Sequence, residues 1–430
     1  MFDKRKKVLF LPIESTSREL QSRRLIAKNT VEKNNEIIVV IIEQQLLRLL
    51  TFIFARAVFF GKHFFSKPKH KDSAYYHRIK RKGGSIVYLH EEGVFPGSKD
   101  NWSNFLVNAM NPAIFQADDT ILVWSEWQKK FFENTFELST PIVVSGHPRF
   151  DIYKDLRSDN KPYDFLINTS FSYPNHIQGL GFIFSGKNPS YDFEVNKEFI
   201  YTNYFTQREA QTWLEKVVYQ LSSEYPEKRI IIRPHPSENE GYYKSLFRPL
   251  TNVKIFSNEL VEEALSKTKV LIQVGCTTAI ESYFAQIPTY TNKEFKNSRA
   301  KIASDLSNHL DIKDLSTVEF NWKTSDSDLI RLHSHDVLAN MKEDFNSSEV
   351  VSSVLKVHLE RIQSVSFWSL RFSLIVALIT YYIAYWPIKF GYYLVNNRVD
   401  EIKDFKKRYK PGNTGVIGKR FSKFIEVVRY

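Results

Sequence analysis

Six short apolar runs in the first 150 residues leave this chain few folds to adopt. KVLFLPIE, EIIVVIIE, AVFFGK, SIVYLHEEG, TILVWS and PIVVSGHPRFD read as strands, yet they lack the in–out alternation of a sheet with one wet face. Strands that are apolar on both faces are buried on both, which calls for a parallel sheet covered by helices. TSRELQSRRLIAKNTVEK, QQLLRLLTFIFA, SAYYHRIKRKG and EWQKKFFENTF supply those helices. KDLRSDNKPYD, Lys154 to Asp164, reads as a linker. The alternation then resumes, with FLINTS, RIIIRPHP, VKIF and VLIQVG as strands. After FLINTS comes a long irregular insertion and a helix from about Gln207 to Tyr225, started by a capping box of Thr206 and Glu209. LVEEALSKT and TAIESYFAQ are further helices. The expected class is α/β. Two Rossmann-like parallel-sheet domains, residues 1–153 and 154–345, face a cleft, and a helical, apolar and basic segment occupies 346–430. Such sheets bind ligands beyond the carboxyl ends of their strands.

Composition narrows the function. At 430 residues, two domains are the natural expectation, and 43% hydrophobic content is globular rather than disordered. Cys276 is the single cysteine, which excludes a disulfide framework and fits a reducing compartment. The start, MFDKRKKVLFLPIE, is basic then apolar. Its apolar part runs only from Val8 to Ile13, too short for a secretion signal, so a first strand of a cytoplasmic protein is expected. The net charge is +12, but residues 361–430 hold 13 Lys/Arg against 4 Asp/Glu, so +9 of it lies there. A basic nucleic-acid binder would spread that charge over a sheet or groove, and no nucleic-acid partner is expected.

The same segment contains FSLIVALITYYIAYWPI, Phe372 to Ile388, without one charge. Seventeen residues is at the short limit for a span. Tyr381, Tyr382, Tyr385 and Trp386 suit the headgroup boundary, with Arg371, Lys389, Lys403, Lys406, Lys407, Arg408 and Lys410 beside them. The segment is expected to lie peripherally on the anionic inner face of the cytoplasmic membrane. A buried core helix is the alternative.

Four polar stretches fall at strand ends and so would face one cleft: His90-Glu91-Glu92-Gly93, SGHPRFD (Ser145 to Asp151), RPHPSE (Arg233 to Glu238) and VGCTTAIES (Val274 to Ser282). Adjacent carboxylates repel and raise each other's basicity, as a general base needs, although a solvated turn would look the same. Pro236 holds His235 extended at its strand tip, where the imidazole can donate to a phosphate or simply stiffen a loop. Gly275 permits a sharp turn, and Thr277-Thr278 open a helix whose N–H groups favour an anion. Thr278 with Glu281 is equally an ordinary capping box. GHPRFD could be a turn in which Arg149 pairs with Asp151. Asp118-Asp119 reads as a polar turn, and no metal motif is found.

An acidic-acidic-Gly motif, then a His-Pro motif, then Gly-x-Thr-Thr resembles bacterial sialyltransferases and polysialyltransferases. The layout is also similar to Kdo transferases and teichoic-acid polyol-phosphate transferases, the latter sharing something like GHPRFD and RPHP…GCTTAIES…P. The opening PIESTSRELQSRRLIA with YLHEEG resembles surface carbohydrate biosynthesis proteins. The likeness spans roughly residues 8–290. It implies a GT-B fold and a cytidine nucleotide donor, with a CMP-sugar favoured. Carried over, Glu91 or Glu92 holds the catalytic base. His235 binds the donor phosphate and assists its departure, with Arg233, Gly275, Thr277, Thr278 and Glu281 in the same donor site. Glu14, Arg18, His90, Gly93, His147 and Arg149 are further cleft candidates. The expected activity is metal- and cofactor-independent inverting glycosyl transfer to a glycan or lipid-linked acceptor. A CDP-polyol phosphotransferase and a nucleotide-sugar epimerase are the rivals within the fold, and a basic nucleic-acid-binding protein is the rival outside it.

Overall fold

The computed structural model describes residues 5–14, 16–32, 34–62, 64, 73–89, 91, 112–154, 156, 160–184, 196–256, 260–295, 304–312, 315, 345–385 and 425–428. They divide into two compact units. One holds the described residues up to Ile152 and from Phe345 onward, and the other runs from Tyr153 to Leu315.

In the first unit the chain alternates β1 (Arg5–Ile13), α1 (Thr16–Val31), β2 (Ile37–Glu43), α2 (Gln44–Leu50), β3 (Val58–Gly61), α3 (Ala74–Arg81), β4 (Ser85–Leu89), β5 (Thr120–Val123), α4 (Glu126–Thr135) and β6 (Ile142–Val144). A short α5 (Asp151–Lys154) follows. Side chains start the helices where the sequence places them. Glu43, Ser73 and Ser125 each accept a backbone N–H from the first turn of α2, α3 and α4. The strands from β1 to β6 are mutually parallel. All seven residues of β2 are buried, as expected of a strand covered on both faces.

The second unit repeats the plan. Its elements are β7 (Tyr163–Asn168), α6 (Leu180–Phe184), α7 (Lys197–Glu224), β8 (Ile230–Arg233), α8 (Glu240–Leu246), β9 (Val253–Ile255), α9 (Val261–Ser266), β10 (Thr268–Gln273), α10 (Thr278–Phe284), β11 (Thr289–Thr291) and β12 (Asn308–His309). The six strands run parallel in the order β12-β11-β10-β7-β8-β9. Helix α7 starts ten residues before the expected capping box, so Thr206 lies inside it. Ile200 explains the extension, because it is buried with Tyr173 and Ile183, and that packing outweighs the local start signal.

The described residues of 346–430, a segment expected to stand apart, belong to the first unit. They supply α11 (Ser347–Arg361), β13 (Val365–Ser366), α12 (Phe367–Thr380), a π-helical turn (Tyr381–Tyr385) and β14 (Ile425–Val428). Strand β14 pairs antiparallel with β2, completing the order β14-β2-β1-β3-β4-β5-β6, and β13 pairs antiparallel with β1. Helix α11 packs along α1, where Asn29 and Thr30 meet Ser348 and Ser352 at 3.0 and 3.3 Å. Leu370, Leu374, Ala377 and Tyr381 enter the core. No described helix is long and apolar enough to cross a membrane.

His358 fastens α11 to the sheet. Its Nδ1 lies 2.6 Å from Ser85 Oγ and its Nε2 2.8 Å from Thr120 Oγ1, and either hydroxyl can donate or accept. Burial pushes its pKa down to about 4. Between the ordinary value near 6.5 and about 4, the unfolded chain binds a proton that the folded chain refuses, so stability falls as pH falls through that window. Melting temperatures from pH 7 to pH 4.5 should decline more steeply for the wild type than for His358→Asn.

Candidate active site

At the carboxyl ends of β1, β3, β4 and β6, the first unit gathers charges of both signs. Arg23 sits on α1 and is 2% exposed, and its Nη2 is ion-paired with Glu91 Oε1 just beyond β4. The guanidinium also donates from Nε to the carbonyl of Pro12 at 3.1 Å and lies over the Phe60 ring. Glu91 Oε2 accepts from His147 Nε2 at 2.8 Å. His147 Nδ1 accepts the backbone N–H of Arg149 at 3.1 Å, so the ring proton sits on Nε2. Burial alone would raise the Glu91 carboxyl, but Arg23 and His147 outweigh it and hold the group well below the ordinary carboxylate range. Burial holds the His147 imidazole below its usual value despite Glu91. Nearby, Lys62 Nζ contacts Glu14 at 2.9 Å and Glu19 at 3.8 Å.

This overturns the reason given for a raised basicity at Glu91. The like charge of a neighbouring carboxylate is outweighed by a guanidinium in direct contact, so Glu91 is a weak base. Glu14 belongs to the cluster, whereas His147 is buried in it rather than open. Arg149 lies over Phe150, and Asp151 accepts the N–H groups of Ser347 and Ser348 at the start of α11. His90, Glu92, Gly93 and the Arg18 side chain lie outside the described residues.

In the second unit, the register aligns Arg233, Asn168 and Gln273 across the carboxyl ends of β8, β7 and β10. The chain leaves β7 toward β8 on one side and returns to β10 on the other. That is the switch point where parallel sheets open a binding crevice. Arg233 Nη1 donates toward Asn168 Oδ1 at 3.4 Å. His235 Nδ1 accepts the Ser237 N–H at 3.2 Å and lies 2.7 Å from the Ser237 hydroxyl, so the neutral ring carries its proton on Nε2. Beyond β10, Gly275 takes φ +62°, a conformation suited to glycine. Gly275, Cys276 and Thr277 are half-buried, while Thr278 and Glu281 are buried. Thr278 Oγ1 accepts from Asn168 Nδ2 at 3.0 Å, and the first residue of α10 is preceded by Thr277, whose side chain makes no capping bond. The expected Thr278–Glu281 capping box therefore does not start this helix. The Thr278 hydroxyl ties the end of β7 to the start of α10 instead.

Three buried charged residues were given no role by the sequence reading. Arg23 looks like one more charge on an ordinary helix, and its partner is 68 residues away. Glu238, fully buried, accepts from Thr169 Oγ1 (2.7 Å), Tyr243 OH (2.6 Å) and Phe171 N (2.6 Å), bracing the loop after β7 against the His235 turn. Burial raises its carboxyl to about 7. Glu262 is raised to about 7, chiefly by burial and also by Glu281. Only Glu238 had a local signal, lying three residues after His235.

No family model matches the sequence, and no curated protein matches it either. Solved structures do. A Listeria monocytogenes protein described as a UDP-N-acetylglucosamine 2-epimerase aligns at TM-score 0.51 and 8% identity, covering 83% of this chain and 98% of its own. MnaA of S. aureus, solved with UDP, aligns at 0.45 and 13% identity, covering 83% and 98%. The wall teichoic acid polymerase TagF aligns at 0.45 and 11% identity, covering 83% and 89%. With its two parallel sheets the chain has a GT-B-like α/β fold.

Arg23 and Glu91 should be strongly coupled. Arg23→Met and Glu91→Gln should each lower the unfolding free energy by about 3–5 kcal/mol, because each strands a buried partner. The double variant should lose clearly less than the sum, as read by urea denaturation in a double-mutant cycle.

Proposed function

We propose that the protein is an inverting glycosyltransferase of bacterial surface polysaccharide biosynthesis. It transfers a sugar from a nucleotide donor, a CMP-linked acidic sugar such as Kdo or a sialic-acid relative, to a glycan or lipid-linked acceptor. The observation that carries this reading is the alignment of Arg233, Asn168 and Gln273 at the switch point of the second sheet, flanked by His235 and the Gly275–Thr278 turn. Those groups suit a nucleotide phosphate. Arg233 supplies positive charge, Nε2–H of His235 donates, and Thr277 offers a hydroxyl. The acceptor oxygen forms a bond to the anomeric carbon as the bond from that carbon to the donor phosphate breaks. The electron pair leaves with the phosphate, where Arg233 and His235 stabilise the developing charge.

A base must take the acceptor proton. Glu91 is committed to Arg23 and His147 and is a weak base. We therefore assign the role to Glu92, leaving Glu91 to position the strand end. A nucleotide-sugar 2-epimerase is the second reading, favoured by the fold likeness to the Listeria protein. It would favour a uridine nucleotide and act without an acceptor.

Thermal-shift measurements with CMP, CDP, UDP and GDP distinguish these readings, since a bound ligand raises the melting temperature by mass action. CMP should give the largest shift. A dominant CDP shift indicates polyol-phosphate transfer, and a dominant UDP shift with acceptor-free turnover indicates the epimerase. His235→Ala should weaken nucleotide binding by about 1.5–3 kcal/mol in titration calorimetry, the worth of a hydrogen bond to a charged group. Glu92→Gln should keep nucleotide binding but lose roughly 10²–10⁴ in turnover.

A further inference from the structure

Helix α12 and the π-helical turn that continues it are divided lengthwise. Leu370, Ser373, Leu374, Ala377 and Tyr381 are buried in the first unit's core. On the opposite side, Trp368 (60% exposed), Phe372 (66%), Ile375 (47%), Ile379 (52%) and Ile383 (71%) form one stripe at intervals of four, three, four and four residues. Such spacing keeps them on a single helical face. Helix α2, which packs on α12, ends in a turn that exposes Phe52 (62%) and Ile53 (44%). A cluster of this size is unusual on a surface that meets only water.

The charge around the cluster has one sign. Neither the stretch from Gln44 to Lys62 nor that from Ile362 to Val399 contains an Asp or Glu. Arg78 lies over the Phe52 ring at 3.5 Å, and Lys82 donates to the carbonyls of Thr51 and Phe52. Arg48 and Arg56 flank the turn in sequence, and Arg371 lies over Trp368 at 5.4 Å.

We propose that the outer face of α12 and the Phe52–Ile53 turn form the surface on which this protein lies in an anionic lipid bilayer. The apolar stripe enters the headgroup–acyl boundary, and the basic side chains meet lipid phosphates. A second copy is a poorer occupant, since self-association would press two basic surrounds together. The helix cannot span instead. No described helix is long and apolar enough to cross a membrane, and the inner face of this one is already committed to the protein. The inference stands independently of the glycosyltransferase reading.

Flotation of full-length protein with vesicles of phosphatidylcholine, alone and mixed with phosphatidylglycerol, tests it without nucleotide or acceptor. Phe372→Glu, Ile379→Glu and Phe52→Glu are the test variants, and Phe205→Glu, an exposed site of the second unit, is the control. The wild type and the control should float with the anionic vesicles only, and high salt should weaken that binding. The three test variants should bind at least about tenfold more weakly with unchanged melting temperatures. The proposal is overturned if the wild type does not float or if the variants float equally well. It also falls if the variants melt several degrees lower, which would mean that the chain's own residues cover the face. A wild-type dimer that the variants convert to monomer, without vesicle binding, would assign the face to self-association and overturn it too.

Discussion

Glu91 stays ionised inside the first unit because Arg23 reaches it from the neighbouring helix and His147 bonds its second oxygen. Each charge buried alone would cost several kcal/mol, so the arrangement survives only while every contact holds. Much local structure follows from that requirement. The Pro12 carbonyl and the Phe60 ring anchor the guanidinium, fixing the ends of β1 and β3 to α1. Gly61, at φ +111°, lets the chain pass close by, since a Cβ there would come within 3.2 Å of Pro12. Gly146, at φ +65°, does the same beside His147, where a Cβ would strike Ser347 at 2.4 Å. The start of α11 is thereby drawn against the same strand ends.

The two units solve the same problem at their His-Pro motifs with different results. In both, proline follows the histidine, and the N–H two residues on bonds Nδ1, placing the proton on Nε2. In the first unit that proton is donated to a buried carboxylate. In the second the ring is half-buried beside Arg233, at the strand ends where a ligand can arrive. One backbone device thus fixes the same tautomer in both sheets, on a buried ring in one and a half-buried ring at a strand end in the other.

The parallel sheets were legible because most strands are apolar on both faces, as in IIVVII and RIII, which show no alternation. The His-Pro stretches were legible as strand ends because proline restricts the residue before it. What escaped was non-local. Arg23 and Glu91 meet across 68 residues, and β14 returns to β2 across more than 380. Helix α7 outran its capping box because Ile200 found a core. The apolar segment after Phe367 was ambiguous for a physical reason. A core and a bilayer reward the same composition, and only the placement of each side chain shows that the helix has one buried and one exposed apolar face.

The charges at the first unit's strand ends also form a graded series. Glu14 is 43% exposed by side chain, Lys62 20%, Glu19 13%, Glu91 7% and Arg23 2%. The two carboxylates in its middle, Glu19 and Glu91, repel each other, and each has a cation in reach, Lys62 for Glu19 and Arg23 for Glu91. Protons should therefore enter unevenly as pH falls. Burial, with Glu91 and Glu14 nearby, raises the Glu19 carboxyl despite Lys62, whereas Arg23 and His147 hold Glu91 down. Of these two carboxyls, Glu19 takes a proton before Glu91. Its neutralisation removes a repulsion from Glu91 and leaves the Arg23–Glu91 pair in place, so the series loses charge at its partly solvated middle before its buried end is disturbed.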